Sequence, residues 1–240
     1  MNLPDLVAAA EDDRARAEIN EWLERRSAQE RMEWALHTLP GEHVLSSSFG
    51  AHSAAMLHLA TRGRPNVPVV LVDTGYLFAE TYRYADDLVE RLSVNLKVYR
   101  PVIGIAWMEA RHGRLWEEGL EGLERYNRLR KVEPMRRALA ELGARTWIAG
   151  LRRVQSVTRA DARVLELRDG IWKFHPIVDW ADRDVWRYMQ RNDLPQHPLW
   201  EKGYISIGDV HTTRALQQGM RADDTRFFGL KRECGLHYDQ

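Results

Sequence analysis

Short apolar runs alternate along this chain with stretches whose apolar positions recur at helical spacing. EHVLSSSF, residues 42–49, opens as a strand, and AHSAAMLHLATRG, 51–63, reads as a helix ending at Gly63. VPVVLVD, 67–73, is a nearly continuous apolar run bounded by Pro68 and Gly75, the mark of a strand buried on both faces. A helix is predicted over 79–92, with Leu88, Val89 and Leu92 on one side, and LKVYRPV, 96–102, as a third strand. Helical stretches over 107–118 and 121–129 follow, then a helix from Pro134, a residue suited to the first helical turn. RTWIAGL, 145–151, supplies a fourth strand. Strands alternating with helices predict crossover units: an α/β fold with an open, mostly parallel sheet and helices on both faces.

The pattern then changes. VLELRDGIWKFHPIV, 164–178, reads as a hairpin turning at Asp169-Gly170, and ADRDVWRYMQRN, 181–192, as a helix with Val185 and Met189 on one side. The last fifty residues carry Pro, Gly and aromatic groups without period, and no repeat or low-complexity linker divides the chain. The expectation is one domain over 1–240, its core over about 34–210 and an irregular, mobile C-terminal tail over about 211–240. Trp34, Trp107, Trp116 and Trp172 fall at helix or strand positions and are expected in the core.

Charge narrows the function. With 35 basic and 35 acidic residues the net charge is zero, which argues against nucleic-acid or membrane-surface binding and leaves any anion site to local clustering. No stretch is long and apolar enough for a membrane span, and the opening lacks the basic start of a signal peptide. A single cysteine, Cys234, excludes an internal disulfide framework and a multi-thiolate metal site, and suits a reducing cytoplasm. The nine histidines show no close pair at metal spacing on a helix, so no metal is expected.

In open α/β sheets ligands bind beyond the carboxyl ends of the strands, which selects four loops. SSSFGAHS, 46–53, has small residues that let backbone N–H groups approach phosphate oxygens, although serine-rich turns are also ordinary helix caps. It lacks the Gly-Lys-Ser/Thr of a Walker A loop. DTGY, 73–76, offers Asp73, either a ribose ligand or a cap. GLRRVQSVTR, 150–159, gathers Arg152, Arg153 and Arg159, and LRKVEP, 129–134, holds Arg130 and Lys131 before a helix start. A ligand with several anionic groups fits this set. Near the terminus, Arg226, Lys231, Arg232 and His237 surround Cys234, and cations favour the nucleophilic thiolate while Glu233 opposes it. One thiol can form a covalent adduct but cannot resolve it, so an external thiol must complete the cycle.

SSSFG, VDTGYLFAETYRY, LWEEG, KVEPM, GLRR with QS, HPLWEKGYIS-GD-HTTR and TRFFGLKRECGLH together resemble the phosphoadenylyl-sulfate reductase family, from about Trp34 to His237. The resemblance implies a PP-loop type, adenine nucleotide α hydrolase-like sheet. It also implies reduction of 3′-phosphoadenylyl sulfate to sulfite and adenosine 3′,5′-bisphosphate in assimilatory sulfate reduction. Cys234 would attack sulfur, and thioredoxin or glutaredoxin would reduce the resulting thiosulfonate. Carried over by motif, Ser47, Ser48, Phe49 and Gly50 form the nucleotide loop; Asp73, Thr74 and Gly150 contact adenosine; Lys131, Arg226 and His237 meet the phosphosulfate; Arg152, Arg153 and Arg159 lie near the phosphates. A homodimer without bound cofactor is expected. The first loop lacks the Gly-Gly and Asp of ATP pyrophosphatases, and LRKVEP and HTTR lack the cysteines of cluster-bearing adenylyl-sulfate reductases. No residue is assigned to the 3′-phosphate. A cluster-free adenylyl-sulfate reductase and a non-catalytic nucleotide-binding regulator remain as alternatives.

Overall fold

The structure is a computed structural model that describes residues 5–230. Cys234 and His237 lie outside the described residues. Nine α-helices and six strands are found among those described: α1 Leu6–Glu11, α2 Asp13–Glu24, α3 Ala28–Thr38, β1 Glu42–Ser46, α4 Ser53–Gly63, β2 Pro68–Val72, α5 Ala79–Leu92, β3 Asn95–Tyr99, α6 Ile105–His112, α7 Gly119–Asn127, α8 Glu133–Glu141, β4 Ala144–Ala149, β5 Leu165–Arg168, β6 Ile171–Phe174 and α9 Asp182–Arg191.

The strands form one sheet in the order β3-β2-β1-β4-β6-β5. Every adjacent pair is parallel except β5 with β6. Alternation along each strand divides the core. Leu45, Val69, Leu71, Ile148 and Phe174 face one side, under α2–α5 and α9. Val44, Val70 and Trp147 face the other, against Met135, Ala138 and Leu139 of α8. Both faces of the central strands are therefore covered, as their unbroken apolar runs require.

Three helices precede the first strand, and the periodicity reading did not include them. Their local signals are present: Ser27 and Glu30 form a reciprocal capping box at the start of α3, and Asp12 caps α2 through Arg14 N. Asn20 of α2 covers the open edge of β5, donating from Nδ2 to Leu165 O at 2.9 Å and accepting from Leu165 N at 2.9 Å. The Asp169-Gly170 hairpin is as expected, with φ of 49° and 76°, the left-handed pair that a tight primed turn needs.

Two expectations are corrected. Of the helical stretch read over 107–118, α6 ends at His112 because Gly113 takes a φ of 65°, and Leu115–Glu117 form a separate 3-10 turn. Trp107 is not in the core: it is 57% exposed and lies under the Arg111 guanidinium, 4.4 Å from the ring centre. Trp116 and Trp172 are buried and Trp34 half-buried.

Candidate active site

Strand order reverses between β1 and β4, so the crevice beyond their carboxyl ends is a topological switch point. The loop leaving β1 enters it. Ser47 N still pairs with Val70 O at 3.0 Å, after which the chain departs from the sheet. Phe49 adopts a φ of 49° with its ring fully buried, and its N–H donates to Ser47 Oγ at 3.1 Å. That conformation turns the chain into α4. Ser48 stays exposed and Gly50 is buried beside Ile207.

Opposite, Gly150 leads from β4 to Arg152, only 2% exposed. Arg152 donates to His52 Nδ1 at 3.0 Å and to Asp182 Oδ1 at 2.8 Å. Burial and the adjacent guanidinium push the His52 pKa down to about 4, so the ring is neutral near pH 7 and accepts this bond. Arg153 is held elsewhere, by Glu24 of α2 and by Ala162 O at 2.8 Å. Arg159 donates to Gln155 Oε1. Asp73, at the end of β2, accepts from Gly75 N at 2.9 Å, Tyr82 Oη at 2.6 Å and Arg100 Nε at 2.8 Å. Burial alone would raise its pKa; these bonds outweigh burial and lower it. Asp73 closes its own turn.

Lys131 reaches the site through an irregular helix. Between α7 and α8 the backbone widens into a π-turn over Arg128–Val132, a distortion that turns successive side chains through an altered angle and recurs at functional sites. Arg130, 3% exposed, donates to Thr74 O and to Ile103 O at 2.5 Å, fixing the β2 loop to this turn. Lys131 Nζ lies 2.6 Å from Asp209 Oδ2, and Asp209 Oδ1 accepts from Thr74 Oγ1. Asp209 is fully buried. Its burial favours protonation, but the Lys131 ammonium and the Thr74 hydroxyl prevail and hold its pKa down to about 2.

Asp209 belongs to a strap over 204–214 that crosses the strand ends. Tyr204 packs on Phe78, Asp209 bridges Leu77, and Val210 N donates to Tyr76 O at 2.8 Å. His211 stacks on Trp116 at 3.7 Å between ring centres and meets Tyr76 and Tyr126 edge-on. Burial lowers the His211 pKa to about 4. This box borders an open cavity of about 530 Å³ that also takes in Glu109 and Phe228. The chain returns through the Thr213–Arg226 bridge. Phe227 is fully buried, with Arg226 Cζ 5.0 Å and Lys131 Nζ 5.1 Å from its ring centre. One ring thus joins two cations that lie 95 residues apart in the sequence.

Of the residues singled out, Ser47–Gly50, Thr74, Lys131, Gly150, Arg152 and Arg226 gather at the carboxyl edge, while Arg153 turns toward α2. Residue-by-residue reading missed Asp209, His211 and His52. Asp209 had one signal, an acid inside an otherwise apolar and glycine-containing run, SIGDV.

The phosphoadenosine phosphosulfate reductase domain profile matches residues 42–215. The chain is 62% identical over 221 residues to the phosphoadenosine 5′-phosphosulfate reductase of Xanthomonas campestris pv. campestris strain B100, covering 92% of each. It is also 62% identical over 219 residues to that of Xylella fastidiosa strain 9a5c, covering 91% of this chain and 92% of the other. The crystal structure of phosphoadenylyl-sulfate reductase from Candida auris, a phosphate complex, aligns with a TM-score of 0.73 at 30% identity, over 85% of this chain and 98% of that one. Candida glabrata FMN adenylyltransferase, with FMN and an ATP analogue, aligns at 0.58 and 14% identity over 81% of this chain and 68% of that one, a likeness of fold alone. Profile, sequence identity and fold agree, and the chain belongs to the phosphoadenosine phosphosulfate reductase family.

Proposed function

We propose that this chain reduces 3′-phosphoadenylyl sulfate to sulfite and adenosine 3′,5′-bisphosphate. The observation that carries the reading is the meeting of Lys131 and Arg226 on the Phe227 ring at the sheet edge. Two cations held in a largely buried site suit the phosphosulfate end of such a nucleotide, and the Ser47–Gly50 loop and Gly150 receive its nucleoside part. Leu230, where the described chain ends, is four residues from Cys234, and four residues of chain span at most about 14 Å. A chain of that length is long enough for the thiol to approach the same edge in this reading.

In this reading the Cys234 thiolate attacks sulfur. A sulfur–sulfur bond forms, the bond from sulfur to the phosphate oxygen breaks, and adenosine 3′,5′-bisphosphate leaves with the electron pair. A dithiol protein of the thioredoxin or glutaredoxin class then supplies two electrons, releasing sulfite and restoring the thiol. His237, three residues beyond Cys234 in the sequence, is the candidate donor to the leaving oxygen. No iron, flavin or nicotinamide takes part.

Reduced protein mixed with the nucleotide and no reductant should release one equivalent of adenosine 3′,5′-bisphosphate and then stop. Intact-mass analysis should find one sulfonate on Cys234, removed by a dithiol. Cys234→Ser should abolish reduction and keep nucleotide binding. Continued turnover without reductant, or a sulfonate on another residue, would overturn the proposal. Comparing turnover with and without the 3′-phosphate decides between the two sulfonucleotides.

A further inference from the structure

A carboxylate is the wrong sign for an anion site, yet Asp209 stands fully buried within one. We infer that Asp209 is a positioning residue that aims Lys131 at the transferring sulfonyl-phosphate group and ties that aim to the end of β2. The inference rests on the functional reading above.

The geometry has three parts. Asp209 Oδ2 takes Lys131 Nζ at 2.6 Å, and its other oxygen takes the Thr74 hydroxyl. Its backbone is fixed independently, by the bridge to Leu77, the 2.8 Å bond from Val210 N to Tyr76 O and the 3.1 Å bond from Thr212 N to Asp209 O. Lys131 is then confined laterally by the Tyr126 and Phe227 rings, 5.5 and 5.1 Å from Nζ. An ammonium has three donors; one is spent on Asp209, and two are left with set directions. A lysine stem otherwise rotates freely about its four carbons, so the carboxylate converts a flexible point charge into an oriented one.

Orientation matters most while the sulfur–oxygen bond breaks, because charge then grows on the departing phosphate oxygen. Binding responds differently. Removing the Asp209 charge removes a repulsion, so the nucleotide should bind as well or better while the chemistry slows. A merely structural Asp209 would weaken binding, turnover and stability together.

The test is a double-mutant cycle on the full chain, measuring kcat, KM, adenosine 3′,5′-bisphosphate affinity and thermal unfolding. Asp209→Asn should lower kcat by about 10- to 100-fold, the scale of a small misplacement of a reacting group, with affinity unchanged within about threefold or tighter. In a Lys131→Ala background the same substitution should change kcat by less than about threefold, since its target is gone. Lys131 acetylation by an activated ester, followed by peptide mass spectrometry, should quicken in Asp209→Asn whether or not the chain turns over. Equal losses of kcat in both backgrounds, or an Asp209→Asn protein with wild-type kcat and acetylation rate, would overturn the inference. A wild-type chain that fails to reduce the nucleotide would overturn the functional reading instead, and acetylation alone would then judge Asp209 as the holder of Lys131. If Asp209→Asn does not fold, Thr74→Val, which frees the other carboxylate oxygen, should lower kcat in the same direction, and wild-type kcat there refutes the inference.

Discussion

Gly208 has no side chain, and the Arg226 guanidinium occupies the place where one would be. A Cβ built there meets Arg226 Nη2 at 2.3 Å, the far end of a flexible side chain and not a rigid backbone. Gly208→Ala should therefore leave the fold intact and displace the guanidinium. We expect kcat/KM for 3′-phosphoadenylyl sulfate to fall about 10- to 100-fold with little change in thermal midpoint, checked by steady-state kinetics beside calorimetry. Asp209 makes a second residue-scale prediction. Its folded pKa of about 2 lies below the ordinary ~3.9 of an aspartate. The folded state binds its proton less readily, so its stabilising contribution is complete above about pH 4 and is lost as the pH falls toward 2. The unfolding free-energy difference between wild type and Asp209→Asn should be flat from pH 7 to 4 and shrink below that. Residue types made Lys131 and Arg226 visible as cations. They could not show that Arg153 pairs with Glu24 at the other side of the fold, since that partner lies 129 positions away.

Elements carry information that single residues do not. The π-turn at Arg128–Val132 runs through residues that the pattern reads as the end of one helix and a loop before the next, and it sets the angle between Tyr126 on α7 and Lys131. Deleting the exposed Arg128 should restore α-helical phase, keep the far-ultraviolet circular dichroism signal and reduce turnover by at least about 100-fold through misplacement of Lys131. At the opposite edge, Asn20 satisfies both the N–H and the C=O of Leu165. Asn20→Ala leaves two buried backbone groups without partners and should lower stability by about 1–3 kcal/mol in urea titration, with KM unchanged. Period and turn chemistry located α5 and the hairpin closely, and strand ends less well. LKVYRPV, 96–102, reads as a strand, whereas β3 runs Asn95–Tyr99. Phe49 has no local signal for its left-handed backbone; burial of its ring against the core imposes it.

At the scale of the molecule, acid should weaken this protein well before its carboxylates titrate. His175 and His197 are 2% and 1% exposed, and burial lowers both pKa values to about 4, against an ordinary value near 6.5. His197 is held neutral by its bonds: Nδ1 accepts from Leu199 N at 3.1 Å, and Nε2 faces Thr81 Oγ1 at 3.1 Å. Unfolding lets both rings take up protons. Their stabilisation is complete above about pH 6.5 and is lost as the pH falls toward 4, each adding about 1.4 kcal/mol per pH unit to the slope. Urea midpoints should fall between pH 7 and 5, and His197→Asn should flatten that fall. A midpoint independent of pH over this range would contradict the buried, neutral assignment.

The sequence by itself determined the α/β class, the mostly parallel sheet and the single cysteine, because hydrophobic period, turn residues and the cysteine count are local or additive properties. It also marked the loops that leave the carboxyl ends of the strands, since those ends follow from strand order along the chain. Tertiary structure alone decided which cations share a site. The reversal between β1 and β4, the π-turn and the strap bring Lys131, Asp209 and Arg226 together across separations that no periodicity encodes. The same packing buried a carboxylate among them, and a carboxylate's pKa and purpose depend on the charge beside it in space, not on its neighbours in the chain.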